Sequence, residues 1–308
     1  MTAVGVIGLG AMGHPIARHL LAHGHQVVAY DIRPEPMEAL RERGARTAGS
    51  PREVSGRSEL TLVIVADDAQ VTEVCLGAEG ALAGATGGSV IAILSSVSPE
   101  TCQTVGARAE ATGVHVVDAP LMRGAMAAED GKLLLMVGGD PQVAERCRPV
   151  FQAFAPDICH LGDLGLGQVG KSLNNLLIWA SIVAIHEGAG LARALGADLG
   201  VLRDALQRSS GDSWVLREWD RICQLPRWWD QKDLEGVLHL AAKAHAAAPL
   251  AAALKELMKP RGPARAKEIF SRSGSAALPE ASRVEQVPQR RARSHSQSVR
   301  RASPDSKE

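Results

Sequence analysis

Lys171, Asn174 and Asn175 stand at i, i+3 and i+4 within the run Gly165-Leu166-Gly167-Gln168-Val169-Gly170-Lys171-Ser172-Leu173-Asn174-Asn175. In a helix that spacing puts one amine and two carboxamides on a single face. An amine can take or give a proton, and carboxamides can orient a small polar molecule by donating and accepting hydrogen bonds. Gly165 and Gly167, just upstream, let another group approach the backbone closely. Leu176 to Ile185 is almost wholly apolar, so the polar cluster is expected to head a helix that is otherwise buried. The patch reads as catalytic. A solvated first turn behind a glycine-rich loop is the alternative for the run taken alone.

A second motif opens the chain. Val4-Gly5-Val6-Ile7 is a short apolar strand that runs into Gly8-Leu9-Gly10-Ala11-Met12-Gly13, and Ile16-Ala17-Arg18-His19-Leu20-Leu21 continues at helical spacing. Strand, G-x-G-x-x-G and helix in that order are the context a dinucleotide-binding fingerprint requires. Gly8 makes the tight turn, Gly10 omits a side chain that would collide with a pyrophosphate, and Gly13 lets helix and strand pack closely. The helix N-terminus then faces the phosphates, with Leu9, Ala11 and Met12 completing the loop. A second strand, Gln26-Val27-Val28-Ala29-Tyr30, ends at Asp31. That is close to the offset of roughly 20 residues at which an acid accepts from the adenosine ribose hydroxyls. Such an acid repels a 2′-phosphate, so NAD is the expected cofactor, with NADP second because Arg33 lies close by.

With 308 residues the chain exceeds a typical single domain, so two domains are expected. Its 34 basic and 34 acidic side chains balance, which gives no electrostatic reason to expect nucleic acid or a membrane surface as partner. No apolar run approaches the roughly 18 residues of a bilayer span, and the first residues go straight into a strand; a cytoplasmic location is the expectation. The cysteines, Cys75, Cys102, Cys147, Cys159 and Cys223, are scattered without a C-x-x-C and read as reduced packing residues. No metal site is expected, since Cys159-His160 finds no second ligand pair at suitable spacing. His186 beside Glu187 reads as a satisfied core pair.

Short apolar segments alternate with helical ones through Leu60–Val65, Ser89–Leu94, His115–Ala119, Leu133–Gly138 and Asp157–Leu161. That alternation predicts an α/β fold with a doubly wound, mainly parallel sheet over residues 1–162. From Gln168 to Leu195 one long helix is predicted, closed by Gly196, and the pattern then stays helical. Residues 163–270 are therefore expected to form an all-helical second domain, in which Pro249 kinks or divides Leu234–Leu257. Residues 271–308 turn to serine, arginine, proline and glutamine, the composition of a disordered tail.

With Gly8 to Gly13, Asp118-Ala119-Pro120 and the Lys171 run in order, the chain resembles the β-hydroxyacid dehydrogenase family, which includes 3-hydroxyisobutyrate dehydrogenase. Met12 and Pro15 match the extended fingerprint, Ser95-Ser96-Val97-Ser98-Pro99 matches a cofactor-side loop, and Lys232-Asp233-Leu234 matches a segment that returns toward the nicotinamide. The resemblance implies hydride transfer between NAD(P) and a small anionic 3-hydroxy acid or the matching aldehyde. It makes Lys171 the catalytic residue, puts Ser96, Gly124, Asn174 and Asn175 around the substrate, and adds Ser96 and Lys232 to the cofactor side. It also implies a homo-oligomer formed through the helical domain. After the proline the family usually has an aliphatic residue, a serine and two glycines, where this chain reads Leu121-Met122-Arg123-Gly124. Arg123 is accordingly expected to hold the substrate's acid group. An imine reductase shares this fold and cofactor but usually lacks the lysine, and a dinucleotide-binding module without activity is the rival from another class.

Overall fold

The computed structural model describes residues 2–222 and 229–258. Among them nine strands form one sheet: β1 (Ala3–Ile7), β2 (Gln26–Tyr30), β3 (Arg46–Thr47), β4 (Leu60–Val63), β5 (Val90–Ile93), β6 (His115–Asp118), β7 (Leu121–Met122), β8 (Leu134–Gly138) and β9 (Asp157–Gly162). Their order is β3-β2-β1-β4-β5-β6-β8-β7, with β9 on β8. Every pair from β3 to β6 is parallel, as helical crossovers require. β8 then runs antiparallel to β6 and β7 and parallel to β9. This is a doubly wound Rossmann-type sheet.

Alternation along the central strands buries both faces. Val4, Val6, Leu60, Leu62, Val90 and Ala92 enter one core with Phe151 and Phe154. Ile7, Val63, Ile91 and Ile93 enter the other with Cys102 and Val105. With period-2 side chains and helices on both sides, the strands become the near-continuous apolar runs seen in the sequence. The order reverses where β1 lies between β2 and β4, which is where ligands sit in open α/β sheets.

Several helices start where the sequence signals a cap. Ser98 accepts from the Thr101 amide ahead of Pro99, and Asp140 accepts from Gln142 and Val143 ahead of Pro141. After β9 the described chain is helical, and Met1–Lys259 forms one compact unit. The long helix spans Leu166–Ala194, and Gly196 follows it in the left-handed region at φ 82°. Pro249 begins a new helix, Pro249–Leu257, separate from Trp229–Lys243, so it divides the predicted segment.

Several expectations need correction. The long helix is not buried beyond its polar head, because Leu173, Leu177, Leu191 and Leu195 are all exposed, Leu177 by 68%. It is also long and apolar enough, by length and composition alone, to cross a membrane. His186–Glu187 is not a core pair, as Glu187 is exposed and His186 only partly covered. Among the cysteines, Cys75, Cys102 and Cys147 are buried and free, and burial pushes the Cys75 and Cys147 thiols up to about 12. Cys159 is free but exposed. Cys223 and the tail predicted for 271–308 lie outside the described residues.

Candidate active site

The cofactor cradle follows β1 directly. Gly8 adopts φ 92°, and a side chain there would run into the Ile64 carbonyl. At Gly10 the opposite holds, since an added Cβ would meet nothing within 4 Å. The backbone therefore borders open space at the mouth of the helix Gly13–Ala22, which carries no side-chain cap on its first turn. Ala11 is exposed there, while Leu9 is buried and Met12 packs against the core. Leu9 thus serves through its backbone, whose N–H donates to Asp31 Oδ2 at 2.7 Å.

Asp31 is 8% exposed, and its Oδ1 accepts from the Arg33 amide at 2.9 Å and from Arg33 Nε at 3.1 Å. Burial pushes its carboxyl up, but the Arg33 side chain and the two amides outweigh burial and hold it below the ordinary carboxylate range. With a further bond from Arg33 Nη2 to Oδ2 at 3.4 Å, all of its roughly four lone-pair sites are in use, so a ribose diol would take the place of the exposed Arg33 side chain. Open space at Gly10, an uncapped helix start and an ionised acid at the end of β2 together fit an adenine dinucleotide.

The lysine patch stands where the long helix meets the sheet. Asp118, fully buried at the end of β6, accepts from the Gly165 amide at 2.6 Å and from the Gln168 amide at 2.8 Å. A carboxylate at a helix N-terminus satisfies orphan N–H groups and favours the dipole. Burial pushes the Asp118 carboxyl up and those amides pull it back only in part. A side chain at Gly167 would collide with the Met136 carbonyl and Asp118, so this approach needs glycine.

One turn later Lys171 Nζ donates to the Leu121 carbonyl of β7 at 2.8 Å. Burial lowers the Lys171 pKa, and the nearby Asp233 charge opposes that shift only partly. Asp233, from the helix Trp229–Lys243, accepts from Trp179 Nε1 at 2.9 Å and also from the Asn175 side chain. Burial pushes the Asp233 carboxyl up, against Trp179, Lys171 and Asn175. Asn174 Nδ2 in turn donates to Asn175 Oδ1 at 3.2 Å. The three residues of the sequence pattern are thus joined by a carboxylate and an indole. Asp233 is hydrogen-bonded to Asn175 and Trp179 and acts on Lys171 through its charge.

The backbone on either side of Ser96 is held by the buried side chain of Gln168, three residues before Lys171. Gln168 Nε2 donates to the Ser95 carbonyl at 2.9 Å and Oε1 accepts from the Val97 amide at 3.2 Å. Gly124 opens the helix Gly124–Glu129 at φ 75°, with open space where a Cβ would be. Arg123 is the exception. It sits at φ 79°, in the left-handed region that suits glycine, and its guanidinium is turned to Asp157 at 2.7 Å and to the Lys132 carbonyl at 3.1 Å. In this structure it is not grouped with Lys171 and Asn175. Lys232 is exposed and donates to the Ala66 carbonyl just beyond β4 at 2.7 Å.

Sequence reasoning overlooked Trp179, Gln168, the capping role of Asp118 and the pairing of Asp233 with Lys171, although it placed the Lys232-Asp233-Leu234 segment near the nicotinamide. Trp179 lies four residues beyond Asn175, and Gln168 three before Lys171, so helical spacing could have found both. No spacing within one element could pair Asp233 with Lys171, because its helix is brought in by tertiary packing. Among the described residues no group of three or more histidine, cysteine or acidic side chains could hold a metal ion.

The family model for the NAD-binding domain of 6-phosphogluconate dehydrogenase matches residues 3–162. The model for the NAD-binding segment of NADP-dependent 3-hydroxyisobutyrate dehydrogenase matches residues 165–268. Similar proteins include a 3-hydroxyisobutyrate dehydrogenase of Pseudomonas aeruginosa, 35% identical over 70% of this chain and 72% of that one. An NAD-dependent L-serine dehydrogenase of the same organism is 32% identical over the same shares. The solved structure of Mycobacterium tuberculosis 3-hydroxyisobutyrate dehydrogenase with L-serine superposes with a TM-score of 0.77 at 26% identity, covering 84% of this chain and 92% of that one. With its fingerprint, its lysine run and both halves matched in order, the chain belongs to the β-hydroxyacid dehydrogenase family of NAD(P)-dependent oxidoreductases.

Proposed function

We propose that Lys171 moves the hydroxyl proton of a small anionic 3-hydroxy acid, the matching aldehyde being the substrate in reverse. The observation that carries this reading is a single amine, lowered in pKa by burial and held by the Leu121 carbonyl, beside two carboxamides. Bound NAD(P) supplies the hydride acceptor or donor. As hydride leaves the carbinol carbon, neutral Lys171 takes the hydroxyl proton; in reduction the ammonium returns it to the developing alkoxide. Asn175, fixed by Asp233, orients the hydroxyl or carboxylate, with Asn174, Ser96 and Gly124 around the same pocket. Arg123 takes the acid group after leaving Asp157. That exchange is cheap, because both partners are about half exposed and such a pair is worth about 0–1 kcal/mol.

On the cofactor side, Asp31 favours NAD over NADP, Arg33 tempers the preference, and Lys232 serves the nicotinamide end. Residues 1–162 act as the cofactor domain and 163–270 as the helical domain for substrate and dimerisation. The exposed leucines of the long helix support a homo-oligomer, and the cytoplasm suits a charge-balanced enzyme of this class. Lys171 argues against the imine reductase reading. The test is a panel of 3-hydroxy acids, including 3-hydroxyisobutyrate and L-serine, with NAD and with NADP, followed by cofactor absorbance. Turnover with a higher kcat/KM for NAD is expected; cofactor binding without turnover across the panel would leave only the binding module.

A further inference from the structure

Gln168 is 1% exposed, and its side chain bridges two residues of another element. Its Nε2 donates to the Ser95 carbonyl and its Oε1 accepts from the Val97 amide, so both ends of the amide grip the backbone on either side of Ser96. Its own backbone N–H is fixed by Asp118, which also holds Gly165. The loop end is anchored too, since Ser95 Oγ accepts from the Val65 amide at 2.8 Å beyond β4. Three residues on, one face further along the helix, is Lys171. A rigid chain of bonds therefore runs from the β4–β5 edge through the Ser95–Val97 loop and Gln168 to the turn that bears the lysine.

From this geometry we infer that Gln168 is a positioning residue, setting the spacing between the Ser96 loop and Lys171 and so between cofactor and proton acceptor. The inference rests on the reading of Lys171 and Ser96 given above. Neither an aliphatic side chain nor an ionised acid of this size can make both bonds, because the first offers neither donor nor acceptor and the second only accepts. Misplacement of reacting groups by about 1 Å can cost around a hundredfold in rate.

The experiment compares Gln168→Met, Gln168→Glu, Lys171→Ala and the double variant Lys171→Ala/Gln168→Met, using 3-hydroxyisobutyrate with NAD. Gln168→Met keeps the volume and loses both bonds; kcat should fall about ten- to a hundredfold while the Kd for NAD changes less than about threefold. Gln168→Glu keeps the bond from Val97 and, when protonated, the bond to Ser95 as well, so its kcat relative to the parental enzyme at the same pH should rise as pH falls, which serves if the methionine variant does not fold; a ratio that stays flat overturns the inference. In the Lys171→Ala background the methionine substitution should cost much less than in the parental enzyme, since a residue acting through the lysine is not additive with it. An equal loss in both backgrounds, or a parental kcat in Gln168→Met, overturns the inference. A further readout needs no turnover: the fluorescence enhancement of bound NADH should drop in Gln168→Met at nearly unchanged Kd, and unchanged enhancement overturns the inference. Full activity of Lys171→Ala would instead sink the reading of the lysine, whatever Gln168 does.

Discussion

Gly8 to Gly13 and Lys171 to Asn175 are runs of similar length, yet the chain completes them in different ways. The cradle needs β1, the helix Gly13–Ala22 and the end of β2, all within the first 33 residues. Its working groups are backbone amides, missing side chains and the carboxylate of Asp31. The lysine patch takes its carbonyl from β7, its helix cap from β6 and its carboxylate from the helix Trp229–Lys243. A phosphate can be held by local geometry, because N–H groups at a helix start already point the right way. A lysine that moves protons needs burial and neighbouring charge, and these are supplied by elements far apart in sequence.

The largest expected effect separates the two regions outright. Lys171→Ala should lower kcat by about 10²–10⁴ while the Kd for NAD stays within a few-fold, measured by turnover and by NADH fluorescence. A loss of NAD binding equal to the loss of turnover would mean the regions are not independent. Gly10→Val tests the other side. Its side chain would point into open space, so folding and Tm should hold while the Kd for NAD rises about tenfold or more, some 1.4 kcal/mol. A parental Kd would show that the pyrophosphate does not pass Gly10.

A smaller effect concerns the substrate end of the patch. Arg123→Ala should raise KM for an acid substrate by about tenfold and leave an uncharged analogue nearly unaffected, as expected for loss of a charge-assisted hydrogen bond. Equal changes for both would mean that Arg123 stays on Asp157 during catalysis. The subtlest effect is a shift in pH. In oxidation the neutral lysine is active, so kcat should rise with pH through a pKa that burial holds below the ordinary lysine value. Ionised Asp233 favours the ammonium and raises that pKa. Asp233→Asn should therefore move the alkaline rise to lower pH, and in reduction the fall in rate should move the same way; a shift to higher pH would contradict the pairing.

The long strands were legible because two-sided burial leaves apolar runs, and β2 was read to the residue. Arg46–Thr47 and Leu121–Met122 were not, since two residues carry no period. The start of the long helix was placed at Gln168 rather than Leu166, because Asp118 caps the helix from fifty residues upstream. Its exposed leucines were read as buried for a related reason. Apolar composition shows that a face is covered by something only when the packing partner is known.

The sequence by itself determined the order of elements, the dinucleotide cradle and the helical face that carries Lys171, Asn174 and Asn175. These depend on periodicity, glycine geometry and spacing within one element, all of which are local. Only the tertiary structure decided that Asp233 faces Lys171, that Gln168 grips the Ser96 loop and that Arg123 turns to Asp157. Each of those depends on which elements meet in space, and the charge and dryness that tune a buried amine arise only once they have met.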